Sequence, residues 1–153
     1  REGFDFDPLP ISDCASLVGP LLPVWETGLP VRSARDATRG GVAAVLHEWS
    51  LATGQGMTVR ECDLPVTPVV RAVCELMGLD PLFLACEGTC VLAVAPAAVE
   101  AVLAVLRAHP QTAHACVIGI VTPPRSTPVR VLRGTGREVP LDEPAGSPLP
   151  RIC

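Results

Sequence analysis

Apolar and polar positions divide the 153 residues into short blocks punctuated by proline and glycine. Ser12-Asp13 reads as a helix cap before Ala15, Leu17, Val18, Leu21 and Leu22, while Pro20 and Pro23 keep that first helix short or broken. Leu29-Pro30-Val31-Arg32 reads as a linker and Asp36-Ala-Thr-Arg-Gly-Gly41 as a polar turn. The run from Val42 to Ala52 predicts a helix that Gly54 stops. Alternation from Met57 to Cys62 predicts a strand. The stretch from Pro65 to Gly78 predicts another helix, with Pro65 or Pro68 in its first turn.

Two apolar runs follow, 82–86 and 90–95, separated by Glu87-Gly88-Thr89, and they read as a central hairpin. Pro96 to His109 predicts a helix with Val99, Val102, Leu103 and Leu106 on one face. Cys116 to Thr122, Val129 to Arg133 and Arg137 to Leu141 are three short strand candidates, set apart by Pro123-Pro124 and Gly134-Thr-Gly136. The order implies an α+β fold, a mixed sheet covered by helices, over residues 1–143. No internal repeat is present. The end, 144–153, has three prolines and one glycine and reads as an extended arm. It finishes in Pro150-Arg151-Ile152-Cys153, a thiol where no core needs one.

Composition narrows the function. Hydrophobic residues make up 48% of the chain, enough for a core, yet no apolar run nears the roughly eighteen residues of a membrane helix. Net charge is −4, lysine is absent and the twelve arginines form no basic stripe, which argues against a nucleic-acid ligand. The chain starts at Arg1 without a signal-peptide pattern, so a piece of a longer cytoplasmic protein is expected. Of seven cysteines, Cys14, Cys62, Cys74 and Cys116 stand singly and suit buried, reduced thiols. Cys86 and Cys90 have no companion pair or histidine cluster that would complete a zinc site.

Two internal segments carry candidate chemistry. Asp36, Thr38, Arg39 and the amides of Gly40 and Gly41 place a carboxylate, a hydroxyl, a guanidinium and N–H groups at a helix start, a set suited to phosphate and its metal ion. The same residues also describe a plain cap whose glycines admit another backbone. No phosphate loop of the lysine-containing type exists. Glu87, between two apolar runs, is placed for desolvation and so for general-base work; a solvated turn glutamate is the other reading. His47, His109 and His114 suggest surface or satisfied positions.

Taken in order, Ser12-Asp13-Cys14-Ala15, Asp36 to Gly41, Pro68 to Pro81, Cys86-Glu87-Gly88 and Pro148-Leu-Pro-Arg-Ile-Cys153 resemble the carboxy-terminal half of the hydrogenase maturation family HypE. That family is similar in fold to aminoimidazole ribonucleotide (AIR) synthetase and its relatives, which implies a three-layer α/β sandwich. The resemblance implies an ATP-dependent dehydratase, with magnesium, in [NiFe]-hydrogenase maturation. The carbamoyltransferase HypF would carbamoylate Cys153, dehydration would leave a thiocyanate, and cyanide would pass to iron on HypC and HypD. Glu87 would be the base, Asp36, Thr38, Arg39, Gly40 and Gly41 would lie near the nucleotide phosphates, and Arg151 would support the tail.

The resemblance also implies that most of the ATP pocket and the homodimer interface belong to an amino-terminal domain that this chain lacks. The chain alone would then be inactive. Cys86 stands where the family usually has asparagine, and Thr89 where lysine is common, so the setting of Glu87 departs from the family pattern. A docking module whose tail binds other maturation proteins, and a redox or zinc protein using Cys86 and Cys90, are the readings from other classes.

Overall fold

The structure is a computed structural model and describes Pro8 and residues 11–144. Its elements run α1 (Val18–Glu26), β1 (Val31–Ala37), α2 (Gly41–Thr53), β2 (Gly56–Arg60), α3 (Pro68–Met77), β3 (Cys86–Val94), α4 (Val99–Arg107), β4 (Gly119–Thr122), β5 (Val129–Leu132) and β6 (Glu138–Pro140). The fold is α+β, as the sequence implies, but its strands form two sheets among the described residues. β1 and β3 make an antiparallel ribbon, and a mixed four-stranded sheet has the order β4-β2-β5-β6.

Local chemistry explains where the helices stop. Gly54 caps α2 in the left-handed region, its N–H donating to the Ser50 carbonyl at 2.8 Å, and the buried Ser50 hydroxyl donates to the Gln55 carbonyl at 2.6 Å. The Thr67 side chain accepts from Val70 N–H, so Pro68 rather than Pro65 opens α3. Ser12-Asp13 does not cap α1. The cap position is Leu17, without a side-chain bond, and Asp13 reaches elsewhere.

Two further expectations are corrected. Val31–Ala37 is a strand rather than a linker and turn, because its partner is β3 and only Ala37 of its seven residues is fully buried. The expected hairpin at 82–95 is one strand preceded by a short 3-10 turn at Pro81–Phe83. β3 does not fold back on itself, since β1 occupies its edge.

Strand alternation then builds the core. Met57 and Val59 on β2 and Val129 and Val131 on β5 turn inward beneath Val42, Val45 and Leu46 of α2, joined by Ala37 and Val91 from the ribbon. Val59 and Val131 are fully covered, each worth about 1.5–3 kcal/mol of burial. A second cluster, Val24 of α1 with Val102 and Leu106 of α4, packs on Val31, Leu92 and Val94. The ribbon is thus packed by both clusters and its ends are held in place.

Candidate functional site

Register brings the two candidate segments together. Asp36 pairs with Cys90 and the next residue, Ala37, pairs with Cys86. One step along β1 therefore faces four along β3, and Glu87, Gly88 and Thr89 bulge from the ladder at that point. Residues fifty positions apart in the chain meet at one end of the ribbon, where β1 also hands over to α2.

Asp36, Thr38 and Arg39 line an open cleft of about 320 Å3 with Arg35, Ala44, Val45 and Glu48. Asp36 and Arg39 are exposed and Thr38 is half-buried. Arg35 lies 3.5 Å from Asp36 and 3.1 Å from Glu48. The hydrogen bond that Arg35 donates to Glu48, reinforced by the charges of Glu48 and Asp36, pushes the Arg35 guanidinium further up, so it stays charged. Arg39 has no ion-pair partner among the described residues. The cleft therefore offers one paired and one open guanidinium, a carboxylate and a hydroxyl.

Gly40 and Gly41 serve geometry first. Both lie in the left-handed region, with φ of 76° and 63°. A Cβ on Gly41 would stand 2.5 Å from the Leu84 carbonyl oxygen and 2.6 Å from that of Leu82, so the helix start and the 3-10 turn touch backbone to backbone. The Gly41 N–H donates to the Thr38 carbonyl at 3.0 Å and is not free for a ligand. This matches the plain reading of the two glycines, while the side chains before them carry the polar chemistry. Arginine and hydroxyl donors fit phosphate oxygens and Asp36 fits a hydrated divalent ion. The donor set suits part of a nucleotide·metal site rather than a whole one.

Glu87 is exposed, so the desolvation expected from two flanking strands is not found in this chain. Its neighbours are more enclosed. Burial pushes the half-buried Cys86 thiol up, with the Asp13 carboxylate adding to it and a hydrogen bond from Thr89 opposing. Burial likewise pushes Cys90 up. Cys74 and Cys116 are also raised, chiefly by burial, but Cys14 and Cys62 are exposed, contrary to expectation. Cys153 and Arg151 lie outside the described residues. The last described residue, Pro144, has its Cβ and Cγ 3.3 Å from the position a Gly40 Cβ would take, beside the turn that opens α2.

Sequence reading missed Arg35, Glu48 and Asp13. The first two become visible only when β1 is recognised as a strand beside α2. Asp13 stood within a quoted motif but was assigned to a cap.

A sheet backed by helices, with a cleft where a strand meets a helix start, defines an AIR synthase-like module. The chain belongs to the AIR synthase related protein C-terminal domain family, whose model matches residues 16–131. It is similar along its whole length to carbamoyl dehydratase HypE of Escherichia coli K12, 46% identical over 153 residues, which are 45% of that relative. The crystal structure of E. coli HypE superposes with a TM-score of 0.86 over 96% of this chain and 46% of that one. A HypE–HypF complex matches at 36% identity and a TM-score of 0.85, covering 92% and 45%. HypE in complex with ATP matches at 33% identity and 0.83, covering 90% and 43%. The chain thus spans just under half the length of these relatives. Among the described residues no helix is long and apolar enough to cross a membrane.

Proposed function

We propose that this chain is the carboxy-terminal half of an ATP-dependent carbamoyl dehydratase, carrying the acceptor thiol and part of the catalytic site. The observation behind this reading is the β1–β3 register, which sets the Glu87 bulge against Asp36 and Ala37, the first of which lines the cleft. The family resemblance gives those same residues their roles.

Residues 144–153 act as an arm. Nine residues beyond Pro144, at about 3.3 Å each, allow Cys153 to reach roughly 30 Å from Gly40. One thiol can then visit a carbamoyltransferase, the part played by HypF in the relatives, and return to the cleft. ATP supplies a phosphoryl group that makes the amide oxygen of S-carbamoyl-Cys153 a leaving group. One amide proton leaves as the oxygen is phosphorylated, Glu87 takes the second, the C–O bond breaks as phosphate departs, and S–C≡N remains; the balance is thiocarbamate plus ATP to thiocyanate, ADP, phosphate and a proton. Arg39 and Arg35 would steady phosphate charge, Asp36 and Thr38 would help to hold an accompanying magnesium ion, which would offset that charge, and Arg151 would steady the tail. The remaining ATP contacts and the homodimer interface come from the amino-terminal half of the full-length protein, which works in the cytoplasm and passes cyanide to iron on HypC and HypD.

The test is mass spectrometry of the last residue in the full-length protein after incubation with carbamoyltransferase, carbamoyl phosphate and ATP. A carbamoyl and then a cyano group on Cys153 is expected. A thiol that stays unmodified while the transferase is active would assign the chain to docking instead. This chain alone is expected to hydrolyse no ATP above background.

A further inference from the structure

We propose that Asp13 is a positioning residue for Glu87, its carboxylate fixing the bulge that carries the base; this rests on the reading of Glu87 given above. The bulge is a problem of backbone chemistry. Glu87, Gly88 and Thr89 fall between two residues already paired to consecutive positions of β1, so they sit outside the regular ladder. Left to itself, such a loop samples several conformations and blurs the position of its side chains.

Asp13 supplies what β1 does not. Its Oδ2 accepts the Gly88 N–H at 3.2 Å, a charge-assisted bond across 75 residues of chain. The Asp13 backbone presses on the same residue: its carbonyl oxygen occupies the space a Cβ at 88 would need, and Ala15 N lies 3.4 Å from that point. Gly88 is not in the left-handed region, so a turn does not require glycine here. Close approach of the 11–17 segment does. Asp13 also ranks directly after burial among the causes that raise the Cys86 thiol, which places its charge at the foot of the bulge. One acidic residue therefore holds the middle of the loop by its side chain and by its backbone, leaving the neighbouring Glu87 exposed.

The experiment uses the full-length protein carbamoylated on its terminal cysteine. Asp13→Ala is expected to lower kcat for dehydration about 10-fold or more, since small misplacement of a catalytic group is costly, with KM for ATP unchanged. Amides of residues 86–90 are expected to exchange hydrogen about 10-fold faster in the same variant, because their opening is no longer opposed. Asp13→Asn retains an acceptor oxygen and should restore both readouts. Gly88→Ala, which pushes the Asp13 segment away, should lose kcat as Asp13→Ala does, and decides the matter should the latter fail to fold. Unchanged exchange and kcat in Asp13→Ala or Gly88→Ala would overturn the proposal. So would an Asp13→Asn that loses kcat with normal exchange, since charge and not the hydrogen bond would then matter. Glu87→Gln separates the two readings: full turnover there removes Glu87 as the base, whatever the exchange rates at 86–90 show about Asp13.

Discussion

Two charged clefts among the described residues use similar side chains differently. At the ribbon, Arg35 is shared between Asp36 and Glu48, all about half exposed, and Arg39 is unpaired among the described residues. In the other, of about 280 Å3, Arg133 is clasped by Glu61 at 3.0 Å and Asp80 at 2.7 Å. Glu61 also accepts Gly134 N–H at 2.9 Å, and Asp80 accepts Leu82 N–H at 3.0 Å. At its centre the second cleft pairs its half-buried arginine with its own chain, while Arg71 and Glu75 on its wall have no ion-pair partner among the described residues. The first leaves the guanidinium beside the helix start unpaired and spreads its other arginine over two half-exposed carboxylates.

The strongest way to break this comparison is to remove the support beneath the open cleft. Gly41→Ala adds a methyl group against two carbonyl oxygens at a φ of 63°, and overpacking together with left-handed strain should cost about 3 kcal/mol. Thermal unfolding should fall by roughly 10 °C, taking activity with it. If unfolding were unchanged, the backbone contact between α2 and the 3-10 turn would not be what positions Asp36 to Arg39.

Next is a pair of arginines expected to behave oppositely. Arg39→Ala should lower dehydration by about 100-fold in the full-length protein, the usual loss for one electrostatic donor, with stability unchanged within about 0.5 kcal/mol. Arg133→Ala should leave kcat alone but cost about 2 kcal/mol, reduced from a fully buried pair because its partners keep a quarter or more of their exposure. Equal effects of both substitutions on turnover and stability would erase the distinction between the clefts.

How legible the clefts were follows from the range of the forces that make them. The sequence leaves the start of α3 between Pro65 and Pro68 and puts that of α1 too early, whereas the ends of α2 and α3 were readable because Gly54 and Gly78 act on their own neighbours. So was the buried face of α4, where Val102, Leu103 and Leu106 repeat at helical spacing. β1 was not, because Val-Arg-Ser-Ala-Arg-Asp-Ala has too little apolar alternation to announce a strand; its partner, β3, begins only at Cys86. Glu87-Gly88-Thr89 carried a true signal of irregular backbone, read as a turn where the structure has a bulge. Glycine marks both, and only the β1 register tells them apart. Side chains of the open cleft were readable as a group, but the Gly41 amide was not free, since its bond to Thr38 is a matter of turn geometry.

A smaller effect is expected from the thiols around the ribbon. Burial raises Cys86 and Cys90 above the ordinary thiol range, so both are protonated at pH 8 and should alkylate with iodoacetamide more slowly than the exposed Cys14 and Cys62. Their rates should climb as pH passes above that range. Because the fold favours the protonated form, the stability linked to these thiols is complete below the unfolded pKa and is lost as pH rises through the folded one. Rapid alkylation of Cys86 at pH 8 would show that the bulge opens more readily than its contacts with Asp13 allow.

The smallest expected effect lies where α2 meets the residue after β6. His47 of α2, set aside in the sequence as an ordinary histidine, has its Nε2 3.0 Å from the carbonyl oxygen of Leu141, so that nitrogen carries the proton and donates. Leu141 is buried and its own N–H donates to the Val129 carbonyl at 3.0 Å, which continues the β5–β6 edge toward Pro144 and the Gly40 turn. Leu141 to Pro144 are therefore fastened to the four-stranded sheet on one side and to the turn that opens α2 on the other. His47→Phe keeps the ring volume but leaves that carbonyl without its donor, a loss of about 1 kcal/mol and a few degrees in thermal unfolding. His47→Gln restores a donor and should recover most of it. If both variants unfold like the parent protein, the hydrogen bond is incidental, and residues 141–144 are held by Leu141 burial and the Pro144 contact alone.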